Sequence, residues 1–310
     1  MSMQAGNYRG KSGFYLFAEQ IAYALLGIAV GFAAGAAGGI FGVGVEKCAA
    51  FGAAHFSLYV WFLPIVGVLT VAMLRTFGKG IPTGMGALFA ASHGEGDFPI
   101  RNALFQFAGS WGAHLFCASV GREGAGVQIG ASIGYGIGKH IPMHEADKIL
   151  LVAGMAAGFS ALFGTPVGAL FFALEVTVVG GIRLRALVAS LFAAFTAYFT
   201  AELCGMTHSI YTVPFEFSMD VSMFLRIFVF GAFCGIAGLV FCVVRKYAEK
   251  FFSFSCKNAY VRAAAAGLLL AGLLFLSGGR YSGLGTNLIG AAFGGKVFAF
   301  DWLIKLLFTA

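Results

Sequence analysis

The sequence predicts an all-α fold, built as a polytopic membrane protein with broken, tilted helices. Three observations carry that expectation: a hydrophobic content of 59% against 11% charged residues, a mean hydropathy of +0.88, and apolar runs interrupted by glycine and proline. A soluble domain carries about 25% charged residues, so lipid is the solvent for most of this surface. The 46 glycines and 35 phenylalanines suit closely packed transmembrane helices. A disordered Gly-rich chain would lack the Leu, Ile, Val and Phe found here.

The elements follow in order along the chain. Arg9 and Lys11 precede an apolar run from Phe17 to Gly44, which outlasts a signal-peptide core and reads as a retained helix. Gly31, Gly35 and Gly39 give it a small-residue face for close helix contact. Leu58 to Leu74 is a second run, ending at Arg75; Gly78-Lys79-Gly80-Ile81-Pro82 follows, then a short apolar piece, Gly84 to Ala91, and a polar loop, Ser92 to Asp97. Ala103 to Val120 leads into Gly121-Arg122-Glu123-Gly124-Ala125-Gly126-Val127-Gln128-Ile129-Gly130. Val127 to Ile137 is apolar but too short to span as a helix. After the polar Met143 to Lys148, one apolar stretch from Ile149 to Val179 is divided into two helices by Gly164-Thr165-Pro166. Ala186 to Ala201 is the next run.

The more polar stretch His208 to Asp220 marks a boundary, giving a first repeat, 1–207, and a second, 208–310. Met223 to Val244 reads as a span. Arg245 to Arg262 reads as a basic loop carrying Arg245, Lys246, Lys250, Lys257 and Arg262. Ala263 to Ser277 is another run, Tyr281 to Asn287 opens a short segment ending near Phe293, and Val297 to Ala310 stays apolar to the end.

Charge and composition narrow the function. The formal net charge is +7, but the cations lie between apolar runs, as in cytoplasmic loops, and form no patch for nucleic acid. Cys48, Cys117, Cys204, Cys234, Cys242 and Cys256 form no CxxC pair, so packed thiols are expected rather than a disulfide framework or zinc site. His93, Glu95 and Asp97, and likewise His140, His144 and Glu145, lack a convincing metal-ligand set and read as solvated loops. No P-loop, nucleophile elbow or zinc-protease motif is present, so neither an enzyme nor a cofactor is expected.

Helices broken at membrane depth point to a transporter or channel, because irregular backbone there is tolerated only inside protein or along a wet cavity. Two helix starts are candidate anion sites. Around Glu123 the glycines expose backbone N–H groups, and a helix N-terminus aims them outward with partial positive charge. Glu123 either occupies that site as a built-in anion or pairs with the adjacent Arg122. Gln128 either donates to an anion or bonds backbone. At the other start, Pro82 suits a first helical turn, leaving the amides of Gly80 and Ile81 to face an anion. Lys79 either adds its charge there, pairs with Glu123, or snorkels from a tight turn. A unit charge pair at about 4 Å is worth roughly 4 kcal/mol at an effective dielectric near 20, before desolvation.

These stretches resemble the CLC family of chloride channels and proton-coupled chloride exchangers. Gly121 to Gly130 resembles the family's GREGPxVQIG motif, with Ala125 where proline is usual. Gly78 to Pro82 resembles its GSGIP motif, with Lys79 in place of serine. Gly158 to Leu170 resembles its GxxAxFxxPxxGxLF segment, which leads to a glutamate matched by Glu175, and Gly42 to Lys47 resembles the end of its first long helix.

The resemblance implies an inverted-repeat fold and a homodimer with one anion pathway per subunit, in a bacterial-type plasma (inner) membrane. Glu123 then matches the gating glutamate that competes with chloride. The anion site falls on Lys79, Gly80, Ile81, Gly124 and Ala125, with Arg122 and Gln128 in support. Val176 stands where exchangers carry an internal proton glutamate, which resembles the channel branch. The chain stops before the family's second-half GxFxP motif and coordinating tyrosine, so the second repeat is expected to be truncated. The resulting expectation is chloride conduction gated by Glu123. The alternatives are a fluoride- or other-anion/proton antiporter of the same family, and a non-conducting fragment serving as an assembly partner.

Overall fold

The computed structural model describes residues 13–78, 83–178, 180–208, 211 and 220–310. Among them all regular structure is helical: α1 (Gly13–Ala54), α2 (Phe56–Tyr59), α3 (Leu63–Phe77), α4 (Gly84–His93), α5 (Arg101–Leu115), α6 (Glu123–Gly138), α7 (Ala146–Phe163), α8 (Pro166–Val176), α9 (Leu187–Leu203), α10 (Val221–Ser255), α11 (Ala259–Leu276), α12 (Thr286–Phe293) and α13 (Asp301–Thr309). Short 3-10 turns, Val60–Phe62 and Leu184–Ala186, lead into α3 and α9. Six helical segments among the described residues are long and apolar enough to cross a membrane: Gly13–Ala54, Phe56–Phe77, Ala146–Phe163, Leu184–Leu203, Val221–Ser255 and Ala259–Leu276.

The chain folds into two compact units that interleave in sequence. One gathers Met1–Gly44, Gly80–Ala108 and Arg122–His208; the other gathers Val45–Lys79, Gly109–Gly121 and Ser209–Ala310.

In the first unit α7 is the central helix, buried at most positions from Ala146 to Leu162. It meets α6 along a glycine seam. An added Cβ at Gly130 would overlap the carbonyl of Gly154, one at Gly154 the carbonyl of Gly130, one at Gly158 the carbonyl of Gly126, and one at Gly134 the carbonyl of Leu150. The four-residue spacing of Gly126, Gly130, Gly134 and Gly138 keeps all four on one helix face, so two backbones touch with no side chain between them. The α1–α9 contact uses the same device. The positions where Cβ atoms of Gly27, Gly31, Gly35 and Gly39 would lie are taken by Ala189, Ala193, Ala197 and Ala201 of α9. The small-residue face expected of the first run is therefore real, and it extends one turn further back.

The expected break between α7 and α8 falls at Gly164-Thr165. Gly164 caps α7 with φ +65°, its N–H donating to Ser160 O, and Pro166 opens α8. The His208 ring lies against Gly164, where a Cβ would come within 2.7 Å of it, and a His208 ring nitrogen bonds Ala161 O at 3.2 Å. Glycine thus serves both a left-handed cap and a close approach.

The second unit has its own apolar core of Val60, Leu63, Ala118, Ala271, Leu274 and Tyr281. Around it lies a polar network. Asp301, 4% exposed, accepts from Tyr281 Oη at 2.7 Å, from the Phe298 N–H at 2.9 Å, and from Arg280 through both carboxylate oxygens. Lys305 Nζ donates to Ser119 Oγ at 2.8 Å, Tyr281 O at 3.0 Å and Gly283 O at 2.7 Å. These bonds tie α13 and the turn after α11 to the segment just before Gly121.

One expectation fails. Arg245, Lys246 and Lys250 do not lie in a basic loop but on α10, which continues to Ser255, and Arg262 sits in the first turn of α11. The physical reason is that Arg and Lys are good helix formers, and no glycine or proline interrupts the chain from Leu239 to Asn258. The connection shrinks to 256–258, where the Asn258 side chain accepts from the Tyr260 N–H at 2.9 Å and caps α11.

Gly154→Ala should destabilise the α6–α7 contact by about 1–3 kcal/mol, the usual range for overpacking. It should lower the midpoint in a detergent thermal-shift assay. Gly86→Ala, where an added Cβ meets nothing within 4 Å, should leave the midpoint unchanged or slightly higher.

Candidate functional site

The motif around Glu123 does fold into a helix start. Arg122 is the N-cap residue, without a side-chain cap, and Glu123 is the first residue of α6. The Gly126 N–H donates to Arg122 O at 3.0 Å, closing the first turn. The amides of Glu123, Gly124 and Ala125 precede it and are left open by helix geometry. From Ala125 to Tyr135 every residue of α6 is buried, whereas Glu123 is exposed and Gly124 partly so. The helix is 16 residues long, about 24 Å at 1.5 Å per residue, and falls short of a hydrocarbon core of about 30 Å. Behind its open end the helix is covered by protein.

Gln128 lies one turn behind Glu123 and is buried. Its Nε2 donates to Gly124 O at 3.1 Å, and its Oε1 accepts from Gln106 Nε2 at 2.9 Å. These two bonds tie the first turn of α6 to α5 through Gln106. Gln106 was not singled out from sequence. A polar residue in the apolar run ahead of the motif was the signal available.

Lys79, Gly80, Ile81 and Pro82 lie outside the described residues. The helix that follows them, α4, begins at Gly84 with Thr83 as N-cap. Glu175, matched to the family's glutamate, stands exposed next to the last residue of α8, and Val176 follows it partly buried.

The carboxylates of the first unit separate by environment. Asp97 accepts from Tyr135 Oη at 2.7 Å and pairs with Lys139 at 3.0 Å; those two partners, Tyr135 first, hold its carboxyl below the usual range. Glu145 pairs with Arg185 at 2.7 Å and Lys148 at 3.3 Å. Burial resists its ionisation, but the bonds and charges of Lys148 and Arg185 outweigh burial and hold its pKa low. The loops expected to be solvated are largely exposed, and Asp97 and Glu145 within them also carry ion pairs. Glu123 differs from both: among the described residues no side chain hydrogen-bonds or ion-pairs with it.

Because its folded pKa is depressed, Glu145 contributes stability above its unfolded value, near 4.3. That contribution is lost as pH falls through the lower folded pKa. Glu145→Gln should thus lower the thermal midpoint at pH 7, and the gap to the parent protein should close progressively below about pH 4. Differential scanning fluorimetry across that range measures it.

Comparison with known proteins places these features in context. Residues 66–310 match the sequence profile described as "Voltage gated chloride channel". A "Chloride/fluoride channel protein" of Pseudomonas syringae pv. tomato is 28% identical over 295 residues, covering 92% of this chain and 65% of that protein. The "H(+)/Cl(-) exchange transporter ClcA" of Vibrio cholerae serotype O1 is 27% identical over 245 residues, covering 74% of this chain and 50% of that protein. This chain therefore spans about half to two thirds of the length of these curated relatives. A crystal structure of a CLC-type fluoride/proton antiporter superposes with a TM-score of 0.89 at 36% identity, covering 96% of this chain and 75% of the other. A slow cyanobacterial Cl-/H+ antiporter shares the fold, with a TM-score of 0.76 at 17% identity.

Proposed function

The chain belongs to the voltage-gated chloride channel family, and from that premise we propose that it carries a small halide across the membrane in exchange for protons, with fluoride as the preferred ion. The observation that carries this reading is Glu123 itself. It is an exposed carboxylate on the first residue of a buried helix, with no partner among the described residues. Asp97, Glu145 and Asp301, by contrast, are each held by Lys, Arg or Tyr partners. A carboxylate without such ties can leave the helix start when a dissolved anion arrives, and can take up a proton when it does.

The mechanism follows from electrostatics. The open amides of the first turn of α6 and the helix dipole favour one negative charge at that end. Ionised, Glu123 fills the place; two anions there repel, so an entering halide displaces the side chain or waits for its protonation. Halide occupancy and proton uptake by Glu123 are then coupled through one site. Lys79, Gly80 and Ile81, in the stretch ahead of α4, supply a second contact in this reading, and Gly124 and Ala125 the first. Gln128 and Arg122 hold the turn. Transport needs no covalent chemistry and no cofactor.

Fluoride takes precedence over chloride because the solved fluoride/proton antiporter is 36% identical over 96% of this chain, whereas the solved Cl-/H+ antiporter is 17% identical over 92%. The replacement of a motif serine by Lys79 points the same way, since a small, strongly hydrated anion gains from a full positive charge as its water is stripped. With Val176 in place of the exchangers' inner glutamate, protons reach Glu123 by another route. We assign the protein to a bacterial-type plasma membrane, as a homodimer.

In proteoliposomes, fluoride efflux read by a selective electrode should exceed chloride efflux by about tenfold or more, corresponding to about 1.4 kcal/mol or more in barrier height. It should be accompanied by proton movement in the opposite direction. Glu123→Gln should abolish that proton movement. Equal rates for the two halides would refute fluoride preference, and unaltered coupling in the variant would remove Glu123 from the gate. No flux of either halide from folded, incorporated protein would overturn transport by this chain alone.

Lys79→Ser should weaken halide binding severalfold by titration calorimetry. An unchanged affinity returns Lys79 to a turn residue with its amine in solvent.

A further inference from the structure

Away from Glu123, the first unit holds a small charged cup. A cavity of about 70 Å³ is lined by Glu145, Lys148, Ile149, Arg183 and Arg185, enough for several waters or one small oxyanion. Three cations thus face one carboxylate. Glu145, at φ +56° just ahead of α7, is engaged by Arg185 and Lys148. Arg183 is held differently. Its guanidinium donates to Ser92 O at 2.6 Å, and its backbone N–H donates to Leu174 O at 3.0 Å. Among the described residues its side chain has that one hydrogen-bond acceptor and no ion-pair partner within reach. Burial pushes the Arg183 pKa down, and the more distant Glu145 only partly opposes this. A guanidinium offers five N–H donors in a planar fork suited to phosphate.

The surroundings indicate where such a phosphate comes from. Two of the membrane-crossing segments, Ala146–Phe163 and Leu184–Leu203, begin beside the cup, which sets it at the edge of an apolar layer. Ile182 and Leu184, flanking Arg183, are 55% and 68% exposed. Leu187 and Leu191, three and seven residues past Leu184, continue that exposed apolar line along α9. Cationic side chains next to an exposed apolar stripe at a helix start match the two ends of a lipid.

We propose that the Arg183–Arg185–Lys148 cup binds the headgroup phosphate of an anionic phospholipid, whose acyl chain lies along Leu184, Leu187 and Leu191. The lipid would supply the counter-charge that Glu145 leaves incomplete and would fasten the turn between α8 and α9. This site is independent of Glu123 and of which halide is carried.

The test is native mass spectrometry of the full 310-residue protein, titrated with phosphatidylglycerol or phosphatidylcholine of matched chains, or with inorganic phosphate. Phosphatidylglycerol should be retained to about tenfold lower concentration than phosphatidylcholine, the factor expected from one or two charge-assisted hydrogen bonds. Arg183→Gln should remove that preference. Lys148→Gln, which leaves Arg185 on Glu145, should weaken it in the same direction and covers the case in which the arginine variant fails to fold. Equal retention of the two lipids, or an unchanged preference in both variants, overturns the proposal. Binding of inorganic phosphate without a preference for phosphatidylglycerol overturns the lipid as its source.

Discussion

Direct contact between the backbones of α6 and α7 is the constraint on which the first unit depends. With Gly126, Gly130 and Gly134 facing Leu150, Gly154 and Gly158, the helices approach until carbonyls fill the space of missing side chains. In lipid there is little hydrophobic drive to bring helices together, so this dispersion contact and its shape do that work. It also fixes where α6 begins. The open first turn, with Glu123 upon it, is held by a helix that cannot slide without driving Gly130 and Gly154 into one another. Gln106 and Gln128 add a polar tie at the same turn.

Charges are arranged around this frame in two ways. At Asp97 and Glu145 in the first unit, and at Asp301 in the second, a carboxylate is bonded to two or more partners and holds a turn in place. At Asp301, 4% exposed, loss of one partner leaves a buried charge poorly compensated, which costs far more than the pair contributes when intact. Glu123 stands outside the pattern, and so does Arg183, whose cation is only partly answered. The first is read as the moving part of an anion pathway, the second as a place a lipid completes. Both are charges that the described residues do not fully satisfy.

Much of this was legible in the sequence, for identifiable reasons. Composition alone required lipid-embedded helices. The Gly164-Thr165-Pro166 break was readable because proline and a left-handed glycine cap act locally. The motif at Gly121–Gly130 gave the start of α6 because a glycine-rich turn before an apolar run has few other conformations. The basic stretch after Val244 reads as a loop by its charge, but helix propensity carries α10 through it to Ser255. Gln106 escaped notice because nothing local marks a glutamine whose partner is 22 residues away.

By itself, then, the sequence determined the class of protein, its family resemblance, its helix breaks and the identity of the carboxylate at the helix start. These are set by local chemistry: apolar content, backbone restriction at glycine and proline, and residue order within a short motif. Only the tertiary structure decided which glycines meet other backbones, which carboxylates are bound, and that Arg183, Arg185 and Lys148 share one cavity. Those facts rest on side chains far apart in sequence being brought within a few ångströms, and no local signal encodes such distances.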